Sequence, residues 1–467
     1  MIQFFNTLGG RKEPFTPLAP GEVKLYTCGP TVYDYSHIGN YRAYIFEDLL
    51  KRFLRFMGFR VVHVMNITDV DDKTIRGADA QGIPLSQFTA KYIEAFFEDL
   101  RALAIAPADF YPRATDHIPE MVQIIKGLLE KGFAYRKDGS IYFSIAKFPG
   151  YGKLSKIDLD ELRSADRIEA DEYEKENAQD FALWKAKKEG EPFWETAIGA
   201  GRPGWHIECS AMSSKYLGRT FDIHCGGVDN IFPHHENEIA QSEAYSGRPF
   251  VNYWLHCHHL IVDGEKMSKS KGNYFTLRDL VQKQADPMAI RFLLLSTHYR
   301  KVLNFTWEAL DQAKAALGRI NDFLFELENR PLPSGKNPAI ENLIQDAKVK
   351  FEDGLSDNLN ISAALTALFE LIKKANILIK EEKIFADDAK ALASFVYSLD
   401  EVLAVLAPKK EQDLPEELAA KIQEREQARK GKDFKRADRI RKELLEAGVV
   451  VEDTKDDVRW KILKKTS

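Results

Sequence analysis

Cys28-Gly29-Pro30-Thr31-Val32-Tyr33-Asp34-Tyr35-Ser36-His37-Ile38-Gly39-Asn40 is the stretch on which the fold turns. The run before it, Val23-Lys24-Leu25-Tyr26-Thr27, alternates β-branched, aromatic and polar side chains and predicts a strand. Behind it a helical pattern opens near Tyr41, so the stretch is a strand-to-helix loop. In an open α/β sheet such loops lie at the carboxyl edge of the strands. The helix that follows presents free N–H groups and the positive end of its dipole, which suits a phosphate. A thiol at the strand end and a histidine at the helix start put a soft metal ligand and a phosphate partner on opposite rims of one pocket. That pairing predicts a site that joins a thiol compound to a nucleotide.

Outward from this loop, residues 43–57 carry Ile45, Leu49, Leu50, Phe53 and Phe56 at helical spacing, and 60–67 read as a second strand. The unit is a βαβ start, and the acidic run Asp69, Asp71 and Asp72 just beyond it is expected at the same ligand edge. Helical patterns follow over 86–103 and 117–131. Lys137-Asp138-Gly139-Ser140 then marks a hairpin that looks like part of an inserted subdomain, and the charged segment 158–176 is expected to loop over the surface. Alternation resumes with a helix opening at Trp205, a strand over 220–225, the turn Gly226-Gly227, a helix starting near Pro233 and one strand over 253–262. The turn Asp263-Gly264 leads into Lys266-Met267-Ser268-Lys269-Ser270. Beyond Thr276 only helices are expected until the last segment: 287–296, 305–327 and, after the linker at 330–335, 338–406 with an interruption near 355–360. A second boundary is expected at 407–410, then one basic helix over 416–447 and two short strands.

With 467 residues the chain is too long for one core, and about three domains are expected. A net charge of -5 argues against bulk coating of DNA but leaves room for a local basic surface that holds RNA. The amino terminus does not pattern as a signal peptide and no window approaches a membrane span, so a cytoplasmic protein is expected. Four widely spread cysteines fit reduced thiols or metal ligands better than a disulfide framework.

His234 and Glu238 stand four apart behind Pro233, a favourable first helical residue, so they share one helix face and can grip one ion. A parallel sheet could bring Cys28 and Cys209 to the same edge, which makes Cys28, Cys209, His234 and Glu238 a mixed sulfur, nitrogen and oxygen set suited to zinc. Spacing this long does not prove the site, and an isolated cysteine is more often a small core residue. A competing set exists in His224, Cys225, His256, Cys257, His258 and His259, although on a strand only alternate members face one ion. The two remaining motifs form a pair. Gly39 in His37-Ile38-Gly39-Asn40 lets a nucleotide approach the backbone, His37 can donate to phosphate oxygens, and Lys266 and Lys269 on a flexible loop can neutralise a departing pyrophosphate.

With these motifs the chain resembles the class I aminoacyl-tRNA synthetases, and among them the cysteine-specific family. The resemblance rests on the 28–40 loop, Asn66 to Lys73, Gly204 to Met212, Phe232 to Glu238, Lys266 to Asn273 and the closing basic segment 428–454. It implies an α/β fold: a Rossmann-like parallel-sheet catalytic domain over 1–300 with a connective insert at about 110–205, an α-helical bundle over 301–406, and a small mixed α/β anticodon-binding domain over 407–467. It further implies that Cys28, Cys209, His234 and Glu238 hold one Zn2+ per chain. Cysteine would be bound by Cys28, Gly29, Thr68 and Trp205, and ATP with its Mg2+ by His37, Gly39, Asn40, Asp229, Lys266 and Lys269. Of these, His37, Asn40, Lys266 and Lys269 would serve catalysis. Asn40 departs from the family's usual final histidine; asparagine still donates a hydrogen bond but adds no charge. Cys225, Cys257 and the neighbouring histidines are expected to pack.

The activity so implied is ligation of L-cysteine to tRNA(Cys) through cysteinyl-adenylate, by a monomer. Nine basic residues stand between Arg425 and Lys442 against Glu426, Asp433 and Asp438, which fits contact of the tail, including Trp460, with the anticodon stem and loop. Two rivals share the catalytic motifs. One is the ligase that gives activated cysteine to a sugar amine in mycothiol synthesis, which needs no basic tail. The other is a catalytically inactive RNA-binding paralogue, against which intact His37, Lys266 and Lys269 argue.

Overall fold

A computed structural model describes residues 1–157, 180–406, 416–431, 433–447, 449–453 and 458–462. The chain opens with an antiparallel hairpin, β1 (Gln3–Asn6) and β2 (Arg11–Pro14), then enters the sheet through β3 (Glu22–Thr27), α1 (Ile38–Phe56) and β4 (Arg60–Met65). α1 begins three residues earlier than its apolar pattern suggests because His37 and Asn40 form a reciprocal capping box: Asn40 N donates to His37 Nδ1 (3.2 Å) and His37 N donates to Asn40 Oδ1 (3.1 Å). α2 (Asp72–Gln81) and α3 (Leu85–Ala102) follow. The insert comprises α4 (Ile118–Glu130) and the antiparallel strands β5 (Ala134–Lys137), β6 (Ser140–Phe143), β7 (Phe181–Ala186) and β8 (Gly201–Pro203). The chain then returns through α5 (Trp205–Leu217), β9 (Phe221–Gly227), α6 (Glu236–Ser246) and β10 (Val251–Cys257).

The central sheet has the order β10-β9-β3-β4 and is parallel throughout. It thus consists of two βαβ halves that meet between β3 and β9, where strand order reverses and a crevice opens at the carboxyl edge. Alternation along the strands divides the two faces. Leu25, Ile223, Cys225, Leu255 and Cys257 pack with the apolar face of α1, while Tyr26 and Trp254 pack with Cys209, Met212 and Ile239 of α5 and α6.

The single strand expected over 253–262 is two. β10 ends at Cys257, where His258 N donates to Tyr299 O (2.7 Å), and β11 (Leu260–Val262) starts a separate small sheet. β11 pairs antiparallel with β12 (Glu265–Lys266), which delivers Lys266 to the sheet's end. After α7 (Leu277–Gln282) and α8 (Pro287–Ser296), a strand does occur beyond Thr276: β13 (Leu303–Phe305) pairs in parallel with β11, and the helix expected from 305 begins instead as α9 (Trp307–Asn329). Helices α10 (Pro338–Ser356), α11 (Ile361–Lys380) and α12 (Ala386–Leu403) complete a bundle, with a second break after Lys380 as well as the expected one. The bundle is tied to the sheet domain through Arg291 of α8. Its fully buried guanidinium donates to Asp48 of α1 (2.6 Å), Leu103 O (2.9 Å) and Leu403 O (3.0 Å).

At the carboxyl end the expected single basic helix is two, α13 (Glu416–Lys430) and α14 (Phe434–Glu446), followed by the antiparallel pair β14 (Val449–Asp453) and β15 (Val458–Ile462). The break falls at Gly431, and Asp433 accepts from Arg436 N to cap the second helix. Arg425, one of the nine basic residues expected to contact the anticodon stem and loop, is instead buried in this unit. Two expectations lie outside the described residues: the surface loop at 158–176 and the boundary at 407–410. No helix among the described residues is long and apolar enough to cross a membrane.

Candidate active site

A cavity of about 580 Å³ opens at the switch point between β3 and β9. Its lining includes Cys28, Gly29, His37, Gly39, Asn40, Thr68, Trp205, Cys209, Asp229, His234 and Lys266, so most of the residues singled out in the sequence share one space. Two glycines let the walls close. A Cβ on Gly29 would stand 1.7 Å from Asn66 O, and one on Gly39 would stand 2.9 Å from the His37 ring.

The capping box sets the chemistry of the helix start. His37 Nδ1 accepts from Asn40 N, so the neutral ring carries its proton on Nε2, and burial lowers the pKa and favours that neutral form. Asn40 spends its side-chain oxygen on the cap and keeps its amide nitrogen as a donor, which explains physically why asparagine serves at this position. Across the cavity Lys266 is exposed on β12, whereas Lys269 lies outside the lining and meets it through Asp34 and Tyr274. Its ammonium lies 2.5 Å from Asp34 Oδ2 and 5.1 Å from the Tyr274 ring, which in turn packs edge-on to His37.

Cys28 just after β3, Cys209 on α5, His234 in the short turn before α6 and Glu238 in the first turn of α6 bring one ligand atom each within 4.8 Å of one another. The donor set fits a zinc ion in charge and in orientation. His234 Nδ1 lies 2.9 Å from His206 Nδ1, which leaves Nε2 for the cluster. That Nε2 is 3.1 Å from Glu238 Oε1, yet this buried oxygen accepts no hydrogen bond, an arrangement suited to two donors sharing a cation. Burial would raise the Cys209 thiol, but the Cys28 hydrogen bond and neighbouring His234 outweigh it and bring it down to about 6. The same Cys28–Cys209 hydrogen bond, with burial, pushes Cys28 up. Burial would lower His234, but Glu238 and Cys209 hold it up to about 10.

Of the competing set, only His224 reaches these ligands. Its Nε2 is 3.1 Å from Glu238 Oε2, and with Cys28, His235 and Glu238 it makes an alternative group of four. Cys225 and Cys257 pack in the apolar core with α1, and Cys257 also lines the cavity. His256 meets the cluster indirectly, through Thr7 Oγ1 (2.7 Å) on one nitrogen and His235 Nδ1 (2.8 Å) on the other, and His235 Nε2 lies 3.3 Å from Cys28 Sγ. Burial pushes His235 well down and His256 to about 3, so both rings are neutral, with one donor and one acceptor each. The expectation that the neighbouring histidines only pack does not hold at the rim. His258 and His259 line the cavity, and His259 Nδ1 is 3.3 Å from Asp229 Oδ2.

Thr68 is buried beside the loop through Val32 N→Thr68 O (3.1 Å) and Thr68 N→Pro30 O (3.1 Å), and its hydroxyl donates to Glu208 (2.9 Å). Trp205 is 40% exposed and stacks on His234 with 4.2 Å between centroids, so its ring covers one ligand from solvent. The acidic run does not face the cavity. Asp69 accepts from Thr115, Asp71 caps α2, and Asp72 pairs with Lys185 and Arg202 of the insert. Sequence reasoning missed the relay residue His235, the Glu208 partner of Thr68, and Tyr33 and Lys73 at the cavity mouth. The only sequence signal for His235 is that it follows His234 directly.

Residues 14–315 match the family model of the tRNA synthetases class I (C) catalytic domain, 350–407 a DALR domain and 411–460 the cysteinyl-tRNA ligase anticodon binding domain. The chain is 51% identical to the cysteine–tRNA ligase of Chlamydia muridarum over 98% of both chains. It is 50% identical to that of Leptospira interrogans over 98% of this chain and 99% of the relative. Among solved structures, Mycobacterium tuberculosis methionyl-tRNA synthetase in complex with methionyl-adenylate superposes with a TM-score of 0.60 at 17% identity, covering 82% of this chain and 90% of that one. A ternary complex of Agrobacterium radiobacter LeuRS with tRNA and LeuAMS gives a TM-score of 0.58 at 13% identity, covering 84% and 85%. The fold and the near full-length identity agree: the chain belongs to the cysteine–tRNA ligase family, enzymes of the class I aminoacyl-tRNA synthetases.

Proposed function

We propose that the chain activates L-cysteine with ATP, forming cysteinyl-adenylate and pyrophosphate, and transfers the cysteinyl group to the 3′-terminal adenosine of tRNA(Cys). The observation that carries this reading is one cavity at the switch point lined by Cys28, Cys209 and His234, with the fully buried Glu238 within reach of all three, by the capped start of α1 and by Lys266. The cysteine carboxylate attacks the α-phosphorus in line, and the pyrophosphate leaves with the bridging oxygen. His37 Nε2–H and the Asn40 amide donate to phosphate oxygens at the helix start, where the dipole adds a partial positive charge. Lys266 and Lys269 offset the charge that grows on the departing pyrophosphate, together with the Mg2+ that accompanies ATP. For Lys269 this requires leaving Asp34.

A zinc ion held by Cys28, Cys209, His234 and Glu238 would supply a soft acceptor that prefers the substrate thiolate to a serine hydroxyl, which an apolar pocket separates by only about 1–3 kcal/mol. Trp205 shields that corner from water and Thr68, fixed by Glu208, shapes its floor. The carboxyl-terminal unit, with its basic α14, would hold the anticodon stem and loop through phosphate contacts. Cys209→Ser tests the reading: it should lose zinc and cysteine-dependent ATP–pyrophosphate exchange together. Undiminished exchange in a zinc-free variant would refute the role of the cluster.

A further inference from the structure

We infer that the cavity rim beside Tyr33 is the track along which the single-stranded 3′ end of the RNA enters, an inference that rests on the proposed transfer to tRNA. Tyr33 is 38% exposed and lines the cavity mouth, and the Lys73 ammonium stands 5.1 Å from its ring centroid. Two residues on, Tyr35 also lines the cavity and has the Arg278 guanidinium 5.0 Å from its ring. Away from the cavity lining, Trp307 is 38% exposed and packs edge-on to Phe275, with the Lys283 ammonium 5.6 Å from the indole. Exposed rings thus carry cations both at the cavity mouth and away from it.

Such contacts can simply steady a surface. Two features point to a ligand. Among the described residues Lys73 and Lys283 have no carboxylate partner, unlike Arg278, whose charge is offset by Glu98 (2.6 Å) and Asp99 (3.4 Å). And the exposed rings, one at the cavity mouth and one further out, present faces on which unpaired bases stack, while free ammonium groups beside them meet the phosphates between those bases. On the β9–α6 side of the mouth the Asp229 carboxylate is 80% exposed, whereas the Asp34 carboxylate beside Tyr33 is 31% exposed and paired with Lys269. The strand thus enters over Tyr33 and Lys73, and its terminal ribose reaches the space between Thr68 and the start of α1.

The test uses the full chain and a tRNA(Cys) transcript. Tyr33→Leu is expected to lower kcat/KM for tRNA by roughly 5- to 100-fold, the range for losing one base–aromatic stack, with Tyr33→Phe restoring it. Lys73→Met should reduce the slope of log kcat/KM against log salt by about 0.7, one phosphate contact to a single strand. In both, ATP–pyrophosphate exchange should stay within about twofold of the parent. An unchanged kcat/KM for tRNA, or exchange that falls in step with charging, would overturn the inference, the second result assigning Tyr33 to the adenylate half of the site. A parent that shows exchange but charges no tRNA would fail the proposed transfer itself, and the track with it.

Discussion

The pair formed by Lys269 and Asp34 makes a sharp quantitative test of the activation site. The contact is 2.5 Å long, but the two side chains are 65% and 31% exposed, so its net worth is that of a surface ion pair, at most about 1 kcal/mol. If it is a resting contact that ATP must displace, Asp34→Asn removes a competitor for the lysine. Apparent KM for ATP should then fall by at most about fivefold, with kcat altered less than that. Lys269→Met removes a cation aimed at charge that develops only in the transition state, where losing one such group typically costs about 10²–10³ in kcat. The two variants, at the two ends of one hydrogen bond, should therefore differ by more than tenfold and in opposite senses. Cysteine-dependent ATP–pyrophosphate exchange at varied ATP measures both. A tenfold or greater loss of kcat in Asp34→Asn would refute the reasoning, because Asp34 would then be needed in the reacting geometry.

The remaining expectations concern stability and metal. Arg291→Met removes one partner of Asp48, which keeps Arg52 (2.9 Å) and Ala106 N (2.9 Å), and strands the buried Leu103 O and Leu403 O, so it should cost about 2–4 kcal/mol, read as a lower urea midpoint. For Asp72, burial would raise the carboxyl, but the hydrogen bond from Lys185 and the charges of Lys185 and Arg202 outweigh it and bring it down to about 2. Its folded pKa is thus below the unfolded one near 3.9, so its contribution is complete above about pH 4 and is lost as pH falls through about 2. With the side chain 45% exposed that contribution is held to about 1 kcal/mol, and urea midpoints of the parent and Asp72→Asn should converge at the acid end. Removing the residues after Pro408 should leave exchange intact and weaken tRNA charging; equal loss of both would contradict a separate anticodon unit.

The central unit was legible because two independent signals coincide in it: a strand period and a helix period flanking a loop rich in chemistry. The His234–Glu238 pair was legible from its spacing of four. That Cys28 and Cys209 join it depends on the β3–β9 switch, which local pattern does not encode; strand alternation ranks the competing histidine and cysteine set second, and the family resemblance agrees. β13 was missed because a strand of three residues has no readable period and exists only through its pairing with β11. The long basic segment hid its own break: Gly431 and Asp433 were present as stop and cap, but charge continued across them and was read as one helix. The packing expected of His258 and His259 follows from their lying outside the ligand set that the resemblance implies, which says nothing of the cavity; β10 ends at Cys257, and both line the rim.

The central claim is that one cavity activates cysteine and selects it by its sulfur. The most direct measurement is ATP–pyrophosphate exchange on the purified chain with cysteine and with serine, with zinc quantified in the same preparation. The account predicts exchange with cysteine, none above background with serine, and about one zinc per chain. Equal exchange with serine, or full cysteine-dependent exchange from protein without zinc, would contradict it.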